Sequence, residues 1–356
     1  LETTADDGAA AVTFEHRRGP LDAVQHALHR FPVLSPLFVL ILSWLIFAWA
    51  SETGNFATWG TTSLLFNQAA VLGTLAVGQT LIVLTAGIDL AVGTGMLLTH
   101  IVIAKSFRDG LSIFGLDLLD PVPAPLALII GLICAMLLGA LHGFLVTKVK
   151  LPPFIVTLGT FYIFQSLGLV HSKAETIAKE AIGGKDGLIL IGSRTQSIGP
   201  MKVIWGVLIM LALYLVFTYI LSQTSWGRHV YAVGGDPEAA RLAGINVNRV
   251  IFSVYVVAGV IYAVGAWVQI GRAESASTNS ATDINLETIT AVVIGGTSLF
   301  GGRGRLAGSL IGALIVVVFR NGLKQAGVNV YYQNLAIGLL IIVAVALDQW
   351  IRRVGK

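Results

Sequence analysis

Few residues in this 356-residue chain are equipped for chemistry, and they are scattered. Asp89 sits in Gly87-Ile88-Asp89-Leu90-Ala91-Val92-Gly93-Thr94-Gly95. There its carboxylate can cap the next helix or face a path through a membrane, and the two roles are compatible. His100 and His142 stand alone in apolar runs, without metal-ligand spacing or a Gly-x-Ser-x-Gly turn. Each is expected to pack or to hydrogen-bond between helices. Gly183-Gly184-Lys185-Asp186 is the nearest approach to a phosphate cradle, and it lacks the hydroxyl residue that would hold Mg²⁺. This scarcity argues against an enzyme, a metal site or a cofactor in this chain. The remaining polar groups inside apolar segments are neutral: Asn67, Gln79, Thr157, Thr160, Gln165 and Thr288. With Asp89 they are the candidates for lining a path. Glu287 is expected at a membrane interface.

A second glycine cluster echoes the first. Gly296-Thr297-Ser298-Leu299-Phe300-Gly301-Gly302-Arg303-Gly304 shares the pattern G-x-x-L-x-x-G-x-G. Gly87, Gly93, Gly95, Gly296, Gly302 and Gly304 are therefore candidates for broken helices near a transport path. The competing reading is close helix packing, which small residues also permit.

The elements that must position these residues are membrane helices. Hydrophobic residues make up 55% of the chain and charged residues 12%, with mean hydropathy +0.81. Apolar blocks approach or reach the roughly 20 residues that cross a bilayer as a helix. The alternating pattern of a membrane β-barrel is missing. The expected fold is an all-α polytopic protein with about ten spans, near 31–50, 64–86, 89–105, 124–147, 153–172, 202–222, 250–271, 284–300, 305–320 and 334–351.

With residues 1–30 as a cytoplasmic lead-in, the cytoplasmic side receives Lys148 and Lys150, then Arg228, Arg241 and Arg249. It also receives Arg303 and Arg305, and Arg352, Arg353 and Lys356 in a tail at 352–356. This follows the positive-inside rule, although Lys105, Arg108, Lys173, Lys179, Lys185 and Arg194 fall on the other side. The net charge of +4 needs no nucleic acid partner. Cys134 is the single cysteine, so no intrachain disulfide is possible.

The segment 223–249 is the most informative soluble stretch. Asp236 can cap a helix that has Pro237 at its first position and Glu238 in its first turn. Gly244 is a natural stop. A helix of about two turns is expected there, able to dock into another protein or simply to connect two spans at the interface.

Four strings together resemble the permease subunits of bacterial ABC importers for monosaccharides, the ribose, xylose, arabinose, galactose and fructose branch. They are Leu84-Thr85-Ala86-Gly87-Ile88-Asp89-Leu90-Ala91-Val92-Gly93, Leu151-Pro152-Pro153-Phe154-Ile155-Val156-Thr157-Leu158-Gly159-Thr160, residues 234–245 from Gly234 to Ile245, and residues 293–304 from Val293 to Gly304. Tyr331-Tyr332-Gln333 also fits.

The resemblance implies a bacterial inner-membrane homodimer built from two inverted five-helix repeats with broken helices. Residues 31–222 would form the first repeat plus the sixth span, and 250–351 the rest of the second. Its partners would be cytoplasmic ABC ATPases, which hold the ATP and Mg²⁺, and a periplasmic sugar-binding protein. The segment containing Gly235, Asp236, Glu238, Ala239, Ala240, Arg241 and Gly244 would be the coupling helix. A neutral sugar needs hydroxyl-compatible hydrogen bonds and no fixed counter-charge. The alternatives are a branched-chain amino-acid permease of the same machinery and an ion-coupled secondary transporter. The latter would usually carry buried acidic residues, and Asp89 is nearly alone.

Overall fold

The computed structural model describes residues 33–51, 54–113, 116–182, 194–279 and 283–353. The lead-in at 1–30, the Gly183–Asp186 stretch and residues 354–356 of the tail lie outside them. Thirteen helices are described: α1 (Leu34–Ala50), α2 (Trp59–Leu84), α3 (Val92–Arg108), α4 (Ala124–Thr147), α5 (Pro153–Ser172), α6 (Lys179–Ile182), α7 (Trp205–Gln223), α8 (Ser225–Gly235), α9 (Pro237–Leu242), α10 (Val247–Ala273), α11 (Ile284–Ile294), α12 (Leu306–Gln325) and α13 (Val330–Arg353). Six of them, α2, α4, α5, α7, α10 and α12, are long and apolar enough to cross a membrane.

Local chemistry explains where the helices begin. The Thr58 hydroxyl accepts from the Thr61 amide at the head of α2, and the Asn246 side chain accepts from the Arg249 amide at the head of α10. Prolines occupy the first positions of α4 and α5, where a missing N–H costs nothing.

Several expectations need correcting in detail. The spans at 64–86 and 89–105 become Trp59–Leu84 and Val92–Arg108, separated by irregular backbone. The span at 284–300 stops at Ile294, where Gly295-Gly296 ends the helix and Gly296 takes φ +85. The all-α expectation misses two hairpins. Strand β1 (Leu111–Ile113) pairs with β2 (Leu116–Leu119), and β3 (Thr195–Ile198) pairs with β4 (Met201–Ile204), both antiparallel. β4 occupies the residues expected to start the sixth span.

Helix α2 is the axis of the bundle and is buried along almost its whole length. It packs against α7, α10, α11 and α12. Around this centre, α4 packs on α10, α5 on α3 and α1 on α12. The outer helices turn apolar side chains outward, among them Leu137 and Phe144 on α4, Ile155 and Val170 on α5, and Leu215 on α7. Exposed apolar side chains of this kind are stable in lipid and costly in water.

The most extensive helix contact is between α4 and α10. A Cβ placed on Gly139 would overlap the Tyr255 carbonyl oxygen, and one on Gly259 would overlap that of Ala135. Backbones this close gain dispersion along their length, and only small residues allow it. Replacing Gly259 by leucine is expected to destabilise the protein by about 3 kcal/mol or more through overpacking. Gly159→Leu, on an exposed face of α5 with nothing within 4 Å, should change little. Thermal unfolding of the two purified variants in one detergent checks this, and equal melting temperatures would contradict it.

Candidate coupling junction and translocation site

The residues just before the first glycine cluster, Leu84 and Ala86, meet the second at Gly301 and Gly302. At the end of α2, Ala86 takes a left-handed conformation with φ 58, so the turn itself falls on Ala86, one residue before Gly87. The Leu84 carbonyl, left without a helical partner, accepts from the Gly302 amide at 2.9 Å. The end of α8 is pressed into the same place. A Cβ on Gly234 would overlap the Leu84 carbonyl oxygen, one on Gly301 would stand 2.6 Å from the Gly234 oxygen, and one on Gly302 2.6 Å from the Gly235 Cα. Gly301 and Gly302 also need positive φ, +81 and +68. Three chain segments far apart in sequence thus touch backbone to backbone.

Side chains reinforce the junction. The Tyr231 hydroxyl on α8 donates to the Gly304 carbonyl at 2.9 Å, and the Trp226 indole N–H donates to Ser253 on α10 at 2.8 Å. Thr80 on α2 donates to Ser309 on α12 at 2.8 Å. The remaining candidate glycines play different parts. Gly87 lies close to Tyr255 and Ile82. Gly93 and Gly95 stand in the first turns of α3, where Gly93 lets Ile284 and Asn285 of α11 approach; a Cβ on Gly304 would crowd Thr297.

Beyond the junction the chain enters α9. Its Asp236 cap accepts from the Glu238 and Ala239 amides at 2.9 and 3.0 Å. Gly244 follows the helix with φ +84. Ala240 is buried against the bundle, while Glu238 and Arg241 form an exposed pair at 2.9 Å and Leu242 is 82% exposed. Gly235 and Gly244 have open space around them. Lys150 donates to Asn248 at 2.9 Å, so the segment carrying Lys148 and Lys150 meets the 223–249 segment at the junction's end of the bundle.

Just inside this end lies a buried polar knot. Asp89 is fully buried. One carboxylate oxygen accepts from the Ala91 amide at 2.7 Å, capping the start of α3, and the other accepts from the Tyr262 hydroxyl of α10 at 3.0 Å. Capping and a role between helices therefore coexist. His142 Nδ1 on α4 lies 3.8 Å from the same carboxylate, and its Nε2 lies 2.6 Å from the Thr160 hydroxyl on α5. Thr157 donates to the Ile88 carbonyl at 3.2 Å, so Asp89, Thr157 and Thr160 belong to one network.

The other path candidates are dispersed. Asn67 donates to the Lys202 carbonyl and accepts from the Ile204 amide, fastening the β3–β4 hairpin to α2. Thr288 bonds within its own helix, and Gln165 is half-buried on α5. Gln79 differs: it is fully buried, and neither of its amide atoms has a hydrogen-bond partner among the described residues. Tyr262, Tyr231, Trp226 and Asn285, which accepts from the Gly93 amide, went unnoticed in the sequence. Their signal was available as polar side chains inside apolar or junctional stretches.

Asp89→Leu should orphan the Tyr262 hydroxyl and the Ala91 amide, each costing about 1–3 kcal/mol. Asp89→Asn keeps an acceptor and should be milder. Melting temperatures of both variants, beside Tyr262→Phe, test this ordering.

The chain matches the family described as branched-chain amino acid transport system / permease component over residues 61–345. It is 43% identical to the fructose import permease protein of Rhizobium meliloti over 353 residues, covering 99% of this chain and 95% of the relative. It is 39% identical to the ribose import permease protein of Bacillus subtilis (strain 168), covering 80% and 83%. With the D-allose transport system permease protein of Escherichia coli (strain K12) it shares 34% identity, covering 84% and 86%. No solved structure matches it. A multi-pass helical bundle matching the family profile from α2 to α13 is thereby identified: the chain belongs to this family of transport-system permease components.

Proposed function

We propose that the chain is the permease subunit of an ATP-driven importer that moves a monosaccharide into the cytoplasm. It works as a homodimer in a bacterial inner membrane, beneath a periplasmic sugar-binding protein. Ten of the helices, α1 to α5, α7 and α10 to α13, are its membrane crossings, arranged in two inverted halves, with 223–249 as the coupling segment. Helix α11, with 11 residues, is too short to cross alone; the irregular backbone at 295–304 completes that crossing inside protein, where such backbone is tolerated.

The observation that carries this reading is the attachment of α9. An exposed face bearing Glu238, Arg241 and Leu242 suits a protein partner, and the residues just before it are wedged between both helix breaks. ATP and Mg²⁺ belong to ATPase subunits docked there. A partner that binds α9 differently in two states biases the bundle between outward-open and inward-open forms. The sugar class follows from the relatives' own substrates, and a neutral interior suits it. An ion-coupled transporter is disfavoured because Asp89 is committed to Tyr262 and Ala91.

Reconstituted with ATPase and binding protein, the permease should take up one of fructose, ribose or allose only when ATP is supplied. Uptake driven by an ion gradient alone, or of branched-chain amino acids instead, would overturn the proposal. Glu238→Lys should detach the ATPase. Gly234→Ala and Gly302→Ala should leave ATPase bound yet cut uptake about tenfold or more, a barrier change of about 1.4 kcal/mol, whereas Gly235→Ala should not. Co-purification and uptake, measured side by side, separate docking from transmission.

A further inference from the structure

At the end of the bundle away from α9 lies a cavity of about 430 Å³, within the size range of small-molecule sites, ~300–1,000 Å³. Leu72 of α2 lines it; the junction carbonyl of Leu84 lies twelve residues further along, about 18 Å at the rise of a helix. The walls come from α2, α10, α11 and α12. Nearly all of the groups that give the cavity its character are planar and polar: Gln68, Gln269, Arg272, Glu287 and Arg320.

The pairing of these groups is uneven. Arg320 spans both acids of the wall, Glu287 and Asp283 at 3.5 Å. Gln68 is held by the Asn321 amide, which donates to its oxygen at 2.6 Å, leaving its own N–H₂ for another acceptor. Gln269 is 4% exposed and has no hydrogen-bond partner among the described residues. Arg272 likewise has none, and the nearest acid, Glu287, is engaged by Arg320. A buried amide such as Gln269 without a partner is costly, and beside it the exposed Arg272 guanidinium and the half-buried Gln68 N–H₂ stay open, so the cavity suits something that hydrogen-bonds.

Its charges define what that is. Two arginines and two acids sum to zero, so a net ion gains nothing overall, whereas a neutral ligand carrying several hydroxyls can serve every open group at once. Amide and guanidinium groups donate to hydroxyl oxygens, and the Gln269 carbonyl and Glu287 accept from hydroxyl hydrogens. Gln79, whose amide is also unpartnered, lies eleven residues beyond Gln68, about three turns along the same face of α2. It stands between the cavity and the junction.

We propose that this cavity is a monosaccharide subsite within the permease, with Gln68, Gln269 and Arg272 binding hydroxyls and Gln79 the next polar contact inward. This rests on the sugar-importer reading above. Because Cys134 is the single cysteine, Cys134→Ala provides a background for labelling. In the complete complex with ATPase and binding protein, Gln269→Cys, and independently Gln68→Cys, are treated with a small neutral thiol reagent.

Each labelled complex is compared with its own unlabelled form. The adduct should cut uptake at least about tenfold, while the same adduct at Thr58→Cys, exposed outside the cavity, should not. The transported sugar at twice its dissociation constant should slow labelling of the cavity cysteines about threefold, following 1 + [L]/Kd. Full uptake by complexes carrying the adduct at both cavity positions would overturn the subsite while leaving the importer reading intact. No ATP-dependent sugar uptake by the unmodified complex would overturn both.

Discussion

The structure depends on one backbone contact, the Leu84 carbonyl accepting from the Gly302 amide with Gly234 lodged against it. Within a membrane, a carbonyl released at a helix end finds no water and must be satisfied by protein. Here the two helix breaks satisfy each other. That requirement explains why the breaks share an end of the bundle and why glycines crowd both of them. It also explains why α8 terminates there. The contact has no room for Cβ atoms, so it transmits displacement between segments without the slack of side-chain rotamers.

Around it the bundle divides into regions of different polarity. Near the junction, Asp89, Tyr262, His142 and Thr160 tie α10, α4 and α5 to the start of α3. A closed network of this kind gives rigidity because every member loses a partner if one helix shifts. At the far end, the cavity lined by Gln269 and Arg272 leaves donors open. Between them Gln79 is buried with no hydrogen-bond partner among the described residues. The Tyr255 hydroxyl, beside Gly87 and edge-on to His142, is likewise buried without a hydrogen-bond partner among the described residues.

Much of this was legible in the sequence, and for identifiable reasons. The helix at Asp236-Pro237-Glu238 and its stop at Gly244 follow from local capping chemistry, which needs no knowledge of the rest of the chain. The loops carrying Lys148, Lys150, Arg241 and Arg249 meet at one end, as charge sorting by the bilayer leads one to expect. Asp89 was recognisable as a cap for the same reason. Tyr262 was not, since its partner is 173 residues away and a tyrosine in an apolar helix is unremarkable. The junction was hidden more deeply. Glycines that touch backbone to backbone carry no side chain to suggest a partner, so the echo between the clusters was visible but the packing of Gly301 and Gly302 on Gly234, Gly235 and Ala86 was not. Helix α8 was missed because Gly227, Gly234 and Gly235 weaken its helical pattern, and packing on α7 and α10 supplies what propensity lacks.

The enclosure of α2 has a consequence for how the chain is made. It is the least apolar of the six long helices, carrying Gln68, Thr74, Gln79 and Thr80, and it leaves the ribosome long before α10 and α12 exist to cover it. Through most of synthesis, a helix suited to a protein interior must stand among lipids or insertion factors, its polar groups without their final neighbours. Assembly therefore closes from the C-terminal side, and the last helices to emerge bury the second.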